Sequence, residues 1–343
     1  MERVVEVLAG LGGVATTAQL LRSGISARTV RDAVECGAVL RLRRGWFALP
    51  SVPLDERRAV AAGGVLSCAS ALASRGLWVL DTEQLHVAVP PHSSERRGGN
   101  GVLLHWREWE GCGSETPSLD GLRSSLLHLL ACVDGEDALM SFDSAVNSGA
   151  IDLDDLFALR SRAPAAKRWV FDEVEPGAQS GLETRVRRCG RRLRVRVRSQ
   201  VAVPRVGRVD VILGERLVFE PDGRAFHSGS HQLEEDYRRS LELAAQGYLC
   251  IRLSTRQIVG SWSETEAVIR GLVRRKEHLW STRRPGERSS PRSDRCCGIS
   301  SSPFALADLG FGRRSLTQTE RAAQTARARA RPPVDTPRTR RCR

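Results

Sequence analysis

Lysine is almost missing from this 343-residue sequence: only Lys167 and Lys276 occur, so arginine supplies nearly all the positive charge. Also missing is any CxxC pair among the nine cysteines, at positions 36, 68, 112, 132, 189, 250, 296, 297 and 342. No histidine cluster stands beside them in sequence. That spacing argues against a zinc site and, in a chain this large, against a disulfide framework. Most of the thiols read as small buried apolar residues. No apolar run is long enough to span a membrane, and the N-terminal apolar stretch is interrupted by Glu6 and has no basic leader. A reduced, cytoplasmic setting is expected.

What is present is arginine, unevenly placed. The net charge is +13, but residues 281–343 carry 15 arginines against 5 acids, a net of +10. Residues 1–280 carry 38 basic against 35 acidic residues, a net of +3. One run, RVRRCGRRLRVRVR at 185–198, has eight arginines in fourteen positions. Such a run can neutralise phosphates, or it can be a solvated helix face followed by the outer face of an edge strand.

The length exceeds what one core usually fills, so two or three domains are expected. In residues 1–50, VVEVLAGLGG has helical spacing, TTAQLLRSG opens on a Thr cap, and SARTVRDAVECG opens on Ser26. VLRLRRGWFALP then alternates and turns at Gly45, like a hairpin. Three short helices and a hairpin predict a winged helix-turn-helix. Its third helix would expose Arg28 and Arg31 to a DNA groove, with Arg41, Arg43 and Arg44 on the wing. The alternative is a winged helix that docks protein.

Residues 60–165 predict a mixed α/β middle domain. His86 and His105 fall on two strands with no third ligand in view, which favours packing or surface polarity. Asp143, Asp152, Asp154 and Asp155 fit caps and helix N-termini. Residues 178–280 predict helix, three strands, helix, strand and helix, an α/β domain with a mixed sheet. From 281 the periodicity stops, and the composition predicts a disordered basic tail. The overall class is multi-domain α/β.

Within the third region, VDVILGERLVFEPDGRAFH at 209–227 sets Asp210 inside one apolar strand and Glu220 and Asp222 at the end of the next. Carboxylates in such strands are costly without a partner or a metal. Residues i and i+2 share a face, so Glu220 and Asp222 point the same way. Asp210 joins them only with an odd turn. A two-residue loop pairs Leu213 with Arg216 and sets the acids on opposite faces. A three-residue loop pairs Leu213 with Leu217 and sets Asp210 opposite Glu220.

Two resemblances follow from these residues. TTAQLLRSGISARTVRDAVECGAVLRLRRGWFALP resembles the N-terminal winged helix of abortive-infection type IV antitoxins. SGLE at 180–183, VD at 209–210, EPDGRAFH at 220–227, DYRR at 236–239 and IRLS at 251–254 together resemble the Vsr-like branch of PD-(D/E)xK endonucleases. The second resemblance implies Mg²⁺ or Mn²⁺ on Asp210 and Glu220, with Asp222 or Glu183 adding a carboxylate. It implies that His227 holds phosphate or assists proton transfer, and that Arg238 and Arg252 contact phosphate or brace the acids. Each position also has a plainer reading. Ser180 and Glu183 fit a capping box, Asp222-Gly223 a turn, His227 an exposed side chain, and Arg252 an ion pair with a nearby acid. The chain departs from the pattern at Asp222, where the superfamily has Lys, at Pro221 inside the strand, and at Ser240, where related sequences have Asp. Pro221 predicts a local edge or a distortion.

Two functions are compatible with these patterns. One is a metal-dependent DNA endonuclease recruited by its winged helix. The other is a non-catalytic, antitoxin-like DNA-binding regulator that keeps a degenerate nuclease fold. The expected partners are DNA and a cognate toxin or defence component.

Overall fold

The computed structural model describes residues 2–80, 83–90, 101–106, 116–178, 180–222 and 230–280. The tail at 281–343 and His227 lie outside the described residues, and of Asp222 only the backbone is described.

The first fifty residues fold as α1 (Glu2–Gly10), β1 (Val14–Thr16), α2 (Thr17–Arg22), α3 (Ala27–Glu35), β2 (Leu40–Arg43) and β3 (Trp46–Ala48). Local chemistry sets these boundaries. Thr16 caps α2 in a reciprocal box with Gln19, and the Ser26 hydroxyl accepts from the Thr29 amide to start α3. Strand β3 pairs antiparallel with both β2 and β1. The short β1 strand, which the TTAQ reading missed, makes this a three-stranded sheet. Val4, Leu8, Leu20, Val30, Ala33 and Ala48 close the core beneath it.

Next come α4 (Leu54–Ala61), β4 (Val65–Leu66), α5 (Cys68–Ser74), β5 (Leu85–Val89) and β6 (Val102–Trp106). β5 is the middle strand, antiparallel to β4 and parallel to β6. Every residue of β5 is buried, His86 included. The helices α6 (Leu122–Cys132), α7 (Gly135–Asn147), α8 (Leu153–Arg162) and α9 (Trp169–Glu173) enclose a second core around Leu126, Leu130, Leu139 and Phe142. Asp134 caps α7 and Asp152 caps α8, as their acidic first turns favour. Asp143 does not follow the helix-terminus expectation. It lies in mid-α7, buried, with a partner on a later helix.

That helix is α10 (Gly181–Arg192), which packs on a mixed sheet of β7 (Val197–Val203), β8 (Gly207–Leu213), β9 (Leu217–Asp222) and β10 (Leu249–Ser254). The strand order is β10-β9-β8-β7; β10 and β9 are parallel and the other pairs antiparallel. Helix α11 (Ser230–Ala245) connects β9 to β10, and α12 (Thr255–Val259) and α13 (Trp262–Arg274) follow. Leu182, Val186, Val211, Leu213, Phe219 and Ile269 form the core on the α10 side.

Along α10 the arginine run at 185–198 is engaged in ion pairs, and Arg191 and Arg192 also lie exposed, as a solvated helix face would. Arg187, Arg188, Arg191 and Arg192 all pair with acids, drawing on Asp143, Glu175, Glu173, Glu136 and Glu266. Arg185 lies over the Trp262 ring and donates to the Ile258 carbonyl at 3.1 Å. These guanidinium groups link α10 to its neighbours.

Candidate functional site

Side chains of functional interest fall into three groupings, the first at the N-terminus. Arg28 and Arg31 stand one turn apart on α3, and both are exposed. Val30 and Ala33, on the opposite face, are buried and fix which way the arginines point. Arg41 and Arg44 are also exposed, on β2 and in the turn that Gly45 closes. Arg43 differs. Its guanidinium lies 4.8 Å from the centre of the Trp46 ring, so part of its role is to brace the hairpin.

The second grouping is carboxylic. Leu213 pairs with Leu217 and Val211 with Phe219 across a three-residue turn. Continued by one step, this register sets Asp210 opposite Glu220, the shared-face alternative. Gly214 makes the turn possible. It has a φ of +66°, and a Cβ there would collide with the His278 carbonyl oxygen and stand 2.8 Å from the imidazole Cδ2. Glu183, 4% exposed, projects from the first turn of α10. The cap expected of it is present: its amide donates to the Ser180 hydroxyl at 3.3 Å, and that hydroxyl donates to its carboxylate at 3.1 Å. Its charge also acts on Asp210. The Asp210 carboxyl is pushed up to about 6, first by burial and then by the charges of Glu183 and Glu220.

Sequence reasoning missed two members of this group. Gln200, on β7, donates from Nε2 to Glu183 Oε2 at 2.7 Å and to Asp210 Oδ1 at 3.4 Å. Its φ of +53° is rare for a residue with a long side chain, and such strain concentrates at functional positions. Arg239 is the other. The DYRR helix directs Arg239, not Arg238, to the acids: Arg239 Nη2 lies 2.8 Å from Glu220 Oε1. Arg238 pairs with Glu235 and donates to the Arg205 carbonyl at the surface. Arg252 lies 3.4 Å from Glu220 and 3.5 Å from Asp236, so it makes the ion pair that its place on an apolar strand implied.

The departures from the nuclease pattern have structural counterparts. The ladder between β8 and β9 reaches only to Phe219, whereas β10 still pairs with β9 at Pro221 and Asp222. Pro221 therefore sits where β9 has become a local edge toward β8. Ser240 turns its hydroxyl back to the Asp236 carbonyl at 2.8 Å and adds no acid.

The third grouping lies in the middle region. His86 on β5 and His105 on β6 have their Nδ1 and Nε2 atoms 3.1 Å apart. Cys132, the last residue of α6, brings its Sγ to 3.9 Å from His86 Nδ1. Cys68, at the start of α5, is fully buried beside them. The third and fourth members that the sequence left out of view are thus present.

These geometries bear on what the chain resembles. A family model described as transcriptional regulator, AbiEi antitoxin, matches residues 2–50, the stretch from α1 through β3. No curated protein matches the chain. Among the described residues, no helix is long and apolar enough to cross a membrane.

Proposed function

We propose that the chain is a DNA-binding regulator of the antitoxin type, acting in the cytoplasm. The observation that carries this reading is a coincidence of place. The antitoxin-regulator match ends with the hairpin, and inside it α3 turns Arg28 and Arg31 to solvent. Read as a winged helix, α3 enters the major groove while Arg41 and Arg44 reach the backbone beside it. Regulators of this description imply a cognate toxin or defence component as partner. Selection from a random duplex library with the full chain tests the reading. A preferred sequence, bound at least a hundredfold more tightly than bulk DNA and lost in an Arg28→Ala/Arg31→Ala variant, is expected. Binding that shows no sequence preference and is indifferent to both substitutions sinks it.

One observation favours a second reading, a nuclease-like C-terminal domain. Glu183 and Glu220 are close enough to Asp210 to raise its cost of ionisation. Their oxygen donors suit a hard cation in kind, although Arg239 and Arg252 already engage Glu220. Mg²⁺ or Mn²⁺ would be held by Asp210 and Glu220 with Asp222, supplying an activated water and charge neutralisation at a phosphodiester. On this reading Gln200 and Glu183 orient Asp210, and Arg239 and Arg252 offset the phosphate charge. The test is plasmid nicking with either ion. Cleavage abolished by Asp210→Ala or Glu220→Ala supports the nuclease; an uncut plasmid under every condition leaves the regulator alone.

A further inference from the structure

Cys68, His86, His105 and Cys132 come from four separate elements: the start of α5, strands β5 and β6, and the end of α6. Each offers one donor atom, and all four donors lie within 4.8 Å of one another. In a tetrahedral zinc site with bonds of about 2.0–2.3 Å, donors stand roughly 3.3–3.8 Å apart. The His86–His105 and Cys132–His86 separations, 3.1 and 3.9 Å, already fall beside that range.

We infer that these four side chains bind one Zn²⁺ as a structural Cys₂His₂ site, independently of any chemistry at the carboxylates.

Donor type selects the ion. Thiolate and imidazole suit Zn²⁺ and exclude Mg²⁺ and Ca²⁺, which take oxygen. Charge balance suits the position. Two thiolates neutralise a divalent ion, so the assembled centre adds no net charge to a region where Cys68 is 0% and His86 6% exposed. Both cysteines bind as thiolates, any thiol proton passing to solvent, with no change of oxidation state. Four protein ligands fill the coordination sphere, which is the pattern of structural sites; catalytic sites keep one position open.

Two further observations point the same way. Cys68 has a φ of +51°, a conformation that a residue with a side chain holds only when its surroundings over-determine it. A ligand role at the helix start is such a constraint. In addition, His128 stacks nearly flat on His105, with ring centres 5.7 Å apart and planes 9° apart. His128 is itself fixed by the Ser67 hydroxyl at 2.7 Å and by Asp120 at 3.3 Å, all three side chains being buried. A backing layer that fixes ligand orientation is what metal sites require. Without an ion, helices α5 and α6 meet the β5–β6 pair through two imidazoles that can share only one proton between facing nitrogens. With it, one centre ties all four elements together.

The full-length chain, purified in reducing buffer without a polyhistidine tag, provides the test. Elemental analysis is expected to find about one zinc per chain. Stripping with a chelator should lower the thermal midpoint, and Zn²⁺ but not Mg²⁺ should restore it. Co²⁺ added to stripped protein should give the visible bands of tetrahedral thiolate coordination, weakened and shifted by Cys132→Ser. Cys132 is the most solvent-accessible of the four, so this variant perturbs packing least. Should it fail to fold, the cobalt spectrum of the wild-type chain decides alone. The proposal is overturned if a chain shown folded by circular dichroism neither contains nor takes up zinc. It is equally overturned if Cys132→Ser retains the ion with an unchanged cobalt spectrum, or if anaerobically handled protein joins Cys68 to Cys132 in a disulfide.

Discussion

Arg187 of α10 donates to Asp143 of α7, and both side chains are only 1% exposed. Thr184 adds a hydroxyl to the same carboxylate at 2.7 Å, and the Glu175 amide donates to its other oxygen at 2.9 Å. Even so, burial pushes the Asp143 carboxyl above its ordinary range, outweighing the guanidinium beside it. A pair in which desolvation wins is costly to break and cheap to replace whole. Asp143→Ala should therefore destabilise the chain by about 3–5 kcal/mol, because it leaves the buried Arg187 with only the half-buried Glu175 as a carboxylate partner. An Arg187→Met/Asp143→Leu double variant should recover most of that loss in guanidinium denaturation. Equal losses in the single and double variants would show that the pair contributes net stability.

How much of this was legible in the sequence depends on range. Thr16, Ser26 and Asp152 announce helix starts through neighbours three residues away, and α2, α3 and α8 begin there. The position of Asp210 opposite Glu220 was legible as one of two registers, but the turn that chooses between them depends on Gly214 against His278, 64 positions further on. The arginine run announced its charge but not its partners, because the acids at 136, 143, 173, 175 and 266 come from other elements. The Cys/His cluster was illegible for a related reason. Its members stand 18, 19 and 27 positions apart, far from any short zinc spacing, and only the β5–β6 pairing and two helix ends bring them together. Gln200 carries no local mark of its left-handed backbone.

Asp210 provides a pH signature. Its carboxyl is raised to about 6 in the fold, above about 3.9 in an unfolded chain, so the native state binds the proton more tightly. The sign follows: stability from this group is greatest below the unfolded value and is lost as pH climbs through about 6. Urea midpoints measured from pH 4 to 8 should fall over that window in the wild type and fall less in Asp210→Asn. At pH 8 the Asn variant should be the more stable protein, because it has no charge to keep ionised in a largely buried position. Superimposable pH profiles would show that neither burial nor the neighbouring Glu183 and Glu220 shifts the Asp210 carboxyl.

Gly190 tests how closely α10 is seated on the sheet. A Cβ at this position would stand 2.8 Å from a Val197 methyl and closer still to a Leu213 methyl. Alanine is the better helix former by about 1 kcal/mol, so propensity alone predicts stabilisation. Overpacking opposes it at about 1–3 kcal/mol. The steric clash should win, so Gly190→Ala should lower the thermal midpoint, and pairing it with Leu213→Val should return part of the loss. A higher midpoint for the single variant would mean that α10 is free to shift outward.

The N-terminal arginines should separate into two kinds. Arg28 and Arg31 are exposed and their removal leaves packing intact, so each alanine variant should keep the wild-type melting temperature. Removing an arginine that neutralises one phosphate should flatten the dependence of log K on log salt by about 0.9, whereas removing one that reads a base should cost about 1–3 kcal/mol at the preferred sequence only. Arg43 lies over Trp46, so Arg43→Ala should lower the melting temperature by an amount reflecting about 0.5–1 kcal/mol of cation–π attraction. Fluorescence anisotropy at several salt concentrations, run beside thermal melts of the same variants, makes the distinction. If Arg43→Ala changes the salt slope while its melting curve stays in place, the guanidinium swings off Trp46 to meet DNA, and the wing rather than α3 carries the electrostatic attraction.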